Sequence, residues 1–475
     1  MPNRRRTIVL ALTLVAAVSA FGCNGGGNGA DSALDVVGDQ VADDTPDAAE
    51  ADTPPDAEDS VDTADTPPDV PPREINGRLE TGGALPVLYL WGTHEELGYA
   101  EGALLCGRIT RFFTDYILDH AVLNSGYDYA TVSSLVRLMH RFPEGFLAEM
   151  EAMIQGMHDH CPAADLFLES ENLEPSARGR REITVDDLKV AHALPDFLCS
   201  SLTAWGEASA SGNTIHARNL DFFFDAGGAF LEEHLIKVYD SADEGVRFLS
   251  VAIPGLTGCI SCFGESGAGL TIHNASGPES LEGRIPRILT ARAALAAALL
   301  AADPVAAAEA VVEASPQQMG DNFHFSFPCD TTDCVGGAVF ELDGDSSHAD
   351  GQVTVRRPGE FAGGVVSEDA IACTNHYLKR SEPTPDGSST FVRFQSVVDG
   401  LNAAAAGDGM DVAAALAVMA ATAQQNPRIL TVHTTIMDVA TMTLRVYVAE
   451  SVTATSPSDP TPAVLHLPTL FGGLP

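Results

Sequence analysis

The stretch Cys199-Ser-Ser-Leu-Thr-Ala-Trp-Gly-Glu-Ala-Ser-Ala-Ser-Gly-Asn-Thr-Ile-His-Ala-Arg-Asn-Leu-Asp221 reads as two strands around a turn. Leu202 to Ala208 is apolar with small residues, and Thr214 to Leu220 alternates. Between them, Ser211-Gly212-Asn213 supplies turn chemistry, because Gly and Asn tolerate positive φ. A hairpin brings its two ends together, so a cysteine that opens it meets Arg218 and Asp221 at its close. A guanidinium beside a thiol favours the thiolate and makes it a better nucleophile. The expectation is a nucleophilic Cys199.

The chain around this hairpin divides in texture. Upstream, Pro86 to Trp91 looks like a strand, and Thr93-His-Glu-Glu96 is a capping box that opens a helix. Leu97, Ala100, Leu104, Leu105, Ile109, Phe112 and Phe113 give that helix its apolar stripe. Further helices are expected at about 128–140, at about 143–158 with Pro143 in the first turn, and at 184–193, with 161–181 as a loop. Downstream, strands are expected at 233–240, 246–254, 269–275, 335–342, 353–356 and 371–378, with a last hairpin over 430–438 and 441–449. Helices are expected over 291–315, broken near Asp303-Pro304, and over 389–401 and 411–422. Strands, paired helices and strands again suggest a layered α+β domain.

The 475 residues carry a formal net charge of −40. Such acidity argues against nucleic-acid binding, which needs a basic footprint. Residues 24–72 hold 12 Asp and 2 Glu with no Lys or Arg, in recurring Thr-Pro-Pro-Asp units. A segment of this composition cannot bury enough apolar surface to offset its ordering entropy, so 23–74 reads as a disordered linker. Ahead of it, Arg4-Arg5-Arg6 and the apolar run Ile8 to Val18 form a signal peptide over 1–22. Ser19-Ala20-Phe21-Gly22-Cys23 resembles a bacterial lipobox, which implies lipidation of Cys23 and an exported, membrane-anchored lipoprotein of the cell envelope, at the outer membrane or cell surface. Outside the cytoplasm disulfides are permitted. Cys329 and Cys334 flank Asp-Thr-Thr-Asp and could close a short loop, while Cys259 and Cys262 could be a disulfide or two buried thiols. Neither spacing nor His partners suggest a metal site, and no cofactor is called for.

Several patterns fall in one order. They are Gly92-Thr-His-Glu-Glu-Leu-Gly-Tyr-Ala-Glu-Gly102, the Cys199 hairpin with Ala217-Arg-Asn-Leu-Asp221, and Pro254-Gly-Leu-Thr-Gly258. Gly264-Glu-Ser-Gly-Ala-Gly-Leu-Thr-Ile-His-Asn274, Thr374-Asn-His-Tyr-Leu378 and Ser388-Ser-Thr-Phe-Val-Arg-Phe394 follow. Together they resemble the acyl-coenzyme A:isopenicillin N acyltransferase family of cysteine N-terminal nucleophile (Ntn) hydrolases, which is related to the choloylglycine hydrolases. The resemblance spans about Pro86 to Glu450. It implies an αββα four-layer sandwich made as a precursor that cleaves itself at Leu198–Cys199. Residues 75–198 would then be a helical pro-segment, retained as a smaller subunit or lost, and 199–475 the catalytic core. Family members often carry Gly before the cysteine, where this chain has Leu198.

By the same resemblance Arg218 sits against the thiol, Asp221 holds the α-amine, and Asn375 donates to the oxyanion, with Asn274 a second candidate for that role. Arg393 matches a basic residue of the following helix, and His376 is more structural or substrate-lining than catalytic. The chemistry is self-consistent. A freed α-amine with a pKa of about 7.7 to 8 can act as base for its own thiol. The expected activity is amide hydrolysis or acyl transfer on a small acylated substrate through a thioester. The alternatives are a non-enzymatic surface-binding lipoprotein that keeps the fold uncleaved, and a papain-like protease that needs a histidine such as His376.

Overall fold

The computed structural model describes residues 73–122, 126–194, 198–223, 225, 227–280, 282–330, 334–360, 363–381, 388–426, 429–451 and 461–475. The expected signal peptide, Cys23 and nearly all of the linker lie outside these.

The chain begins with β1 (Gly77–Glu80), β2 (Val87–Gly92) and α1 (His94–Arg111). Thr93 caps α1 through the capping box, its N–H donating to Glu96 Oε2 at 2.8 Å. The helix runs on as a π-helical stretch, Phe112–Val122. Then come α2 (Tyr129–Met139), α3 (Glu144–His160), the small hairpin β3 (Phe167–Glu169) and β4 (Arg180–Glu182), and α4 (Val185–Ala193). Helices α1 and α3 cross closely because a Cβ on Gly98 or Gly102 would collide with the backbone of Glu149 or Met153.

Next follow β5 (Leu198–Ala204), β6 (Ile215–Phe223), the single turn α5 (Ala229–Glu232), β7 (Leu235–Ser241), β8 (Val246–Ala252), β9 (Ser261–Gly264) and β10 (Gly269–Asn274). Helices α6 (Arg287–Leu300) and α7 (Pro304–Glu313) follow, then β11 (Asp321–Ser326), β12 (Gly337–Leu342), β13 (Val353–Arg356) and β14 (Ala370–Cys373). The chain ends with α8 (Ser389–Ala405), α9 (Val412–Thr422), β15 (Ile429–Asp438), β16 (Thr443–Val448), β17 (Ala463–His466) and α10 (Leu467–Phe471).

The larger sheet has the order β1-β2-β7-β8-β9-β10-β11-β12-β13, and the smaller β14-β5-β6-β15-β16-β17. All neighbours are antiparallel except β2 and β7. Helices α1, α6 and α7 lie on the larger sheet, and α8 and α9 on the smaller. The sheets face one another where β10 meets β5 and β12 meets β14. This is the expected αββα sandwich. Residues Ile75–Pro475 form one compact body, so 75–198 and 199–475 are not separate globules. Nor is 75–198 purely helical, since it supplies β1 and β2 to the larger sheet.

The alternation of β5 explains its place. Leu202 and Ala204 face Phe394, Val397 and Leu401 of α8 in an apolar cluster. Ser201 and Thr203 point the other way, to His273 and His324 of the larger sheet. The strand therefore starts earlier than the sequence suggests. Cys199 lies within it, opposite Leu220, rather than at the mouth of a short hairpin. The connection turns through Gly206–Ala208 before reaching Ser211-Gly212-Asn213. The expected strand over 371–378 ends at Cys373, because Thr374 and Asn375 turn to bond Thr390 of α8.

Among the described residues there are three disulfides: Cys106–Cys161, Cys259–Cys262 and Cys329–Cys334. The short loop was expected and Cys259 with Cys262 resolves as a disulfide, whereas Cys106–Cys161 gave no sequence signal. Cys199 and Cys373 are free and buried.

Candidate active site

Cys199 is fully buried at the junction of β5, β6, β14 and α8. Arg218 lies two residues before Leu220 on β6 and so on the same face of the sheet as the thiol. Its Nη2 donates to Cys199 Sγ at 3.0 Å and to the Ile272 carbonyl at 2.9 Å. Its Nη1 donates to Ser261 Oγ at 2.6 Å. A backbone hydrogen bond from Asp221 also favours the thiolate. Burial nevertheless outweighs both, and with the nearby Asp221 carboxylate it pushes the thiol up to about 11. The thiolate expected from the Arg218 contact alone is therefore not the resting form in the intact chain.

The backbone of Cys199 is held from the other side. The register of β14 with β5 pairs Cys373 with Ser201, so Asn375, two residues on, comes level with Cys199. Asn375 Oδ1 accepts the Cys199 N–H at 2.7 Å. Its Nδ2 donates to the Asn274 carbonyl at 2.6 Å, and its own N–H to Thr390 Oγ1 at 2.9 Å. Arg393 shares the buried stripe of α8 with Val397 and Leu401. It donates to the Cys199 carbonyl, to Ser200 Oγ at 2.7 Å and to Asn375 Oδ1 at 2.9 Å.

Asp221 is fully buried. Its Oδ1 accepts from Thr431 Oγ1 at 2.5 Å, and its Oδ2 lies 3.7 Å from Arg393 Nη1. Burial, partly opposed by Arg393, lifts this carboxyl to about 6. In the intact chain it is Asn375, rather than Asp221, whose side chain takes the Cys199 nitrogen. Asn274 ends β10, its carbonyl on Asn375 and its Oδ1 3.3 Å from Arg287 Nη1. His376 turns its Nδ1 to the hydroxyls of Thr374 and Thr390, at 3.1 and 3.0 Å, and packs against Phe394.

Cys199, Arg218, Asn375, Asn274, Arg393 and Asp221 thus converge, while the His376 ring bonds to Thr374 and Thr390 instead. Sequence reasoning missed Ser200, Ser261, Thr390 and Thr431. Only Thr390 carried a signal, three residues before Arg393 on a helix.

The Pro254-Gly-Leu-Thr-Gly258 motif serves a different purpose. The Gly255 N–H donates to Glu101 Oε1 at 2.7 Å, and the Thr257 N–H to His192 Nε2 at 2.9 Å. Both acceptors belong to the 75–198 segment. Lys237 Nζ reaches the same Glu101 oxygen at 2.5 Å, and Arg292 Nη1 pairs with Glu149 at 2.9 Å, all four groups buried. An apolar cleft of about 30 Å³ is lined by Phe112, Tyr116, Ile117 and Leu194 from one side and Phe222, Phe230, Leu256 and Ile260 from the other. Phe222 follows Leu220 by two residues on β6.

No protein-family model matches the sequence, and no curated protein matches it. Among solved structures the chain is similar to the Caenorhabditis elegans ortholog of N-acylethanolamine-hydrolyzing acid amidase, at 13% identity and a TM-score of 0.35, over 51% of this chain and 93% of that one. It is also similar to two single-substitution variants of conjugated bile acid hydrolase from Clostridium perfringens. These share 11% and 12% identity, with TM-scores of 0.36 and 0.35, each over 57% of this chain and 93% of that one.

Proposed function

We propose that the chain is a self-processing cysteine amidohydrolase, with acyl transfer as its second outcome. One observation carries the reading: the thiol and the backbone nitrogen of the same residue each meet a buried polar side chain, Arg218 at Sγ and Asn375 at N. Any buried backbone N–H needs an acceptor, but a structural cysteine needs no guanidinium on its thiol.

In the proposed cleavage Cys199 Sγ attacks the Leu198 carbonyl. The Cys199 nitrogen leaves as an amine, taking the thiol proton, and a thioester forms. Water then hydrolyses it to a Leu198 carboxylate and a free thiol. The new α-amine, with a pKa of about 7.7 to 8, serves as the base for the thiol in turnover. A substrate amide gives an acyl thioester and a free amine, and water or another amine takes the acyl group. Asn375, with Asn274 beside it, would bond either the α-amine or the oxyanion. The apolar lining of the cleft beside Phe222 supports an apolar acyl group, which would have to open the cleft beyond its about 30 Å³ to enter.

The pro-segment is proposed to stay bound after cleavage. Two of its strands belong to the larger sheet, its buried carboxylates pair with Lys237 and Arg292, and it supplies half the cleft. Lipidation at Cys23, with anchoring to the bacterial envelope, is part of the same proposal.

Gel electrophoresis with sequencing of the mature N-termini tests this. Wild type gives two bands, the larger beginning at Cys199, and Cys199→Ala gives one. The alternative, a surface-binding lipoprotein with an uncleaved fold, takes its support from Leu198 in place of glycine and from the full burial of Cys199. It requires a single band in wild type too.

A further inference from the structure

The space between the sheets holds a run of buried hydrogen bonds, not yet given a role, that leads directly to Arg218. His234 Nδ1 lies 2.8 Å from the Phe230 carbonyl, His234 Nε2 lies 3.0 Å from His433 Nδ1, and His433 Nε2 lies 3.0 Å from Ser261 Oγ. Arg218 Nη1 is 2.6 Å from that hydroxyl and 3.3 Å from His433 Nε2.

The protons on this run can be placed by elimination. A carbonyl only accepts, so His234 carries its proton on Nδ1. A neutral His234 then offers Nε2 as acceptor, so His433 must donate from Nδ1. That leaves His433 Nε2 as acceptor, facing the Ser261 hydroxyl and the Arg218 guanidinium, both donors. Each link has one polarity, and all point away from Arg218.

We infer that His433 and His234 are positioning residues: through Ser261 they form a one-way hydrogen-bond relay, anchored on the Phe230 carbonyl, that gives Arg218 Nη1 its acceptors and so keeps Nη2 on the Cys199 thiol. The relay rests on the proposed role of Arg218 at the nucleophile. It works only while both rings are neutral. The surroundings keep them so: burial acts first on both, joined at His433 by His234 and Arg218, and at His234 by Arg108, paired to Glu233, against the opposing bonds to the Phe230 and Leu231 backbone. A proton on either ring would set donor against donor beside a guanidinium.

Two measurements on the full chain test it. The first is ¹⁵N-histidine NMR of the Cys199→Ala protein at pH 7, which does not depend on processing. His234 and His433 should both be neutral and protonated on Nδ1, and an Nε2–H tautomer at either one overturns the relay. The second is the rate of self-cleavage against pH. His433→Gln keeps an acceptor where Nε2 stood and should cleave within about twofold of wild type. His433→Asn keeps the Nδ1-like donor but removes that acceptor. It should cleave roughly tenfold more slowly, as expected for a lost hydrogen bond to a charged group, with the thiol-ionisation limb moved to higher pH. Equal rates in the two variants, or an unmoved limb, would reduce His433 to packing and overturn the inference. If wild type never cleaves, the amidohydrolase reading falls instead, and the tautomers alone decide the relay.

Discussion

Arg218 Nη2 donates to Cys199 Sγ at 3.0 Å, yet the thiol is held up at about 11. Burial wins over the guanidinium because Cys199 has no exposed surface in the intact chain. The precursor thiol should therefore be inert at pH 7.5. Iodoacetamide should leave Cys199 unlabelled in precursor trapped before cleavage and should label it in the processed protein, read by mass spectrometry of the Cys199 peptide. Equal labelling of both forms would contradict the closed site.

A second expectation concerns Arg393 and Asp221, whose charged groups lie 3.7 Å apart, both buried. Removing one partner of a buried ion pair leaves an uncompensated charge and costs about 3–5 kcal/mol. Arg393→Met should lower unfolding stability by that order and also free the Cys199 carbonyl. Arg393→Met with Asp221→Asn should recover much of the loss. Denaturant unfolding of the two singles and the double closes the cycle, and strictly additive losses would show that the pair is not coupled.

Much of this arrangement was legible in the sequence. The capping box at Thr93, the break at Asp303-Pro304 and the final hairpin follow from local chemistry and appear as read. Arg218 beside Cys199 follows from strand pairing alone. What could not be read depends on contacts distant in the chain. Strand β11, Asp321-Asn-Phe-His-Phe-Ser326, buries Phe323 and Phe325 against the helices but also buries Asn322 and His324 between the sheets, so both of its faces are interior. Period-2 reading assumes a wet polar face. The role of Asn375 toward the Cys199 nitrogen depends on the register of β14, which no local pattern fixes, and Cys106–Cys161 joins residues 55 apart.

The buried pairs that tie the two segments yield a third prediction. Glu101 Oε1 receives both Lys237 Nζ and the Gly255 N–H. Glu101→Gln keeps the shape but strands the ammonium of Lys237, so a loss of about 3–5 kcal/mol is expected, with Lys237→Met comparable. The described disulfides join no residue of 75–198 to one of 199–475, so none of them would hold the two pieces together after the proposed cleavage. The two pieces of wild type should still co-elute in size exclusion at neutral pH, and those of Glu101→Gln should separate at lower denaturant. Separation of the wild-type pieces in buffer alone would sink the retained-subunit proposal.

The interior histidines set the response to acid. Burial lowers His216 to about 3 and His192 and His234 to about 4, and it drives His273, His324 and His433 well down too. In the unfolded chain each returns to about 6.5. Below that pH the unfolded state binds more protons, so stability rises with pH through this window and is lost as pH falls from about 6.5 toward the folded values. The loss approaches about 1.4 kcal/mol per histidine for each pH unit. Asp221 acts in the opposite sense. Its folded value of about 6 exceeds its unfolded one, so it gains protons on folding between about 4 and 6 and offsets part of the loss. Glu101 and Asp115 are raised in the same sense, but three carboxyls cannot balance six imidazoles, so the net slope is positive. The midpoint of urea unfolding should fall steeply between pH 7 and pH 5.5. His216→Gln, which removes one titrating ring from the polar layer, should flatten that slope by about a quarter of a proton at pH 7, rising to nearly one at pH 5.5. A midpoint flat across this range would show that the layer admits protons in the folded state.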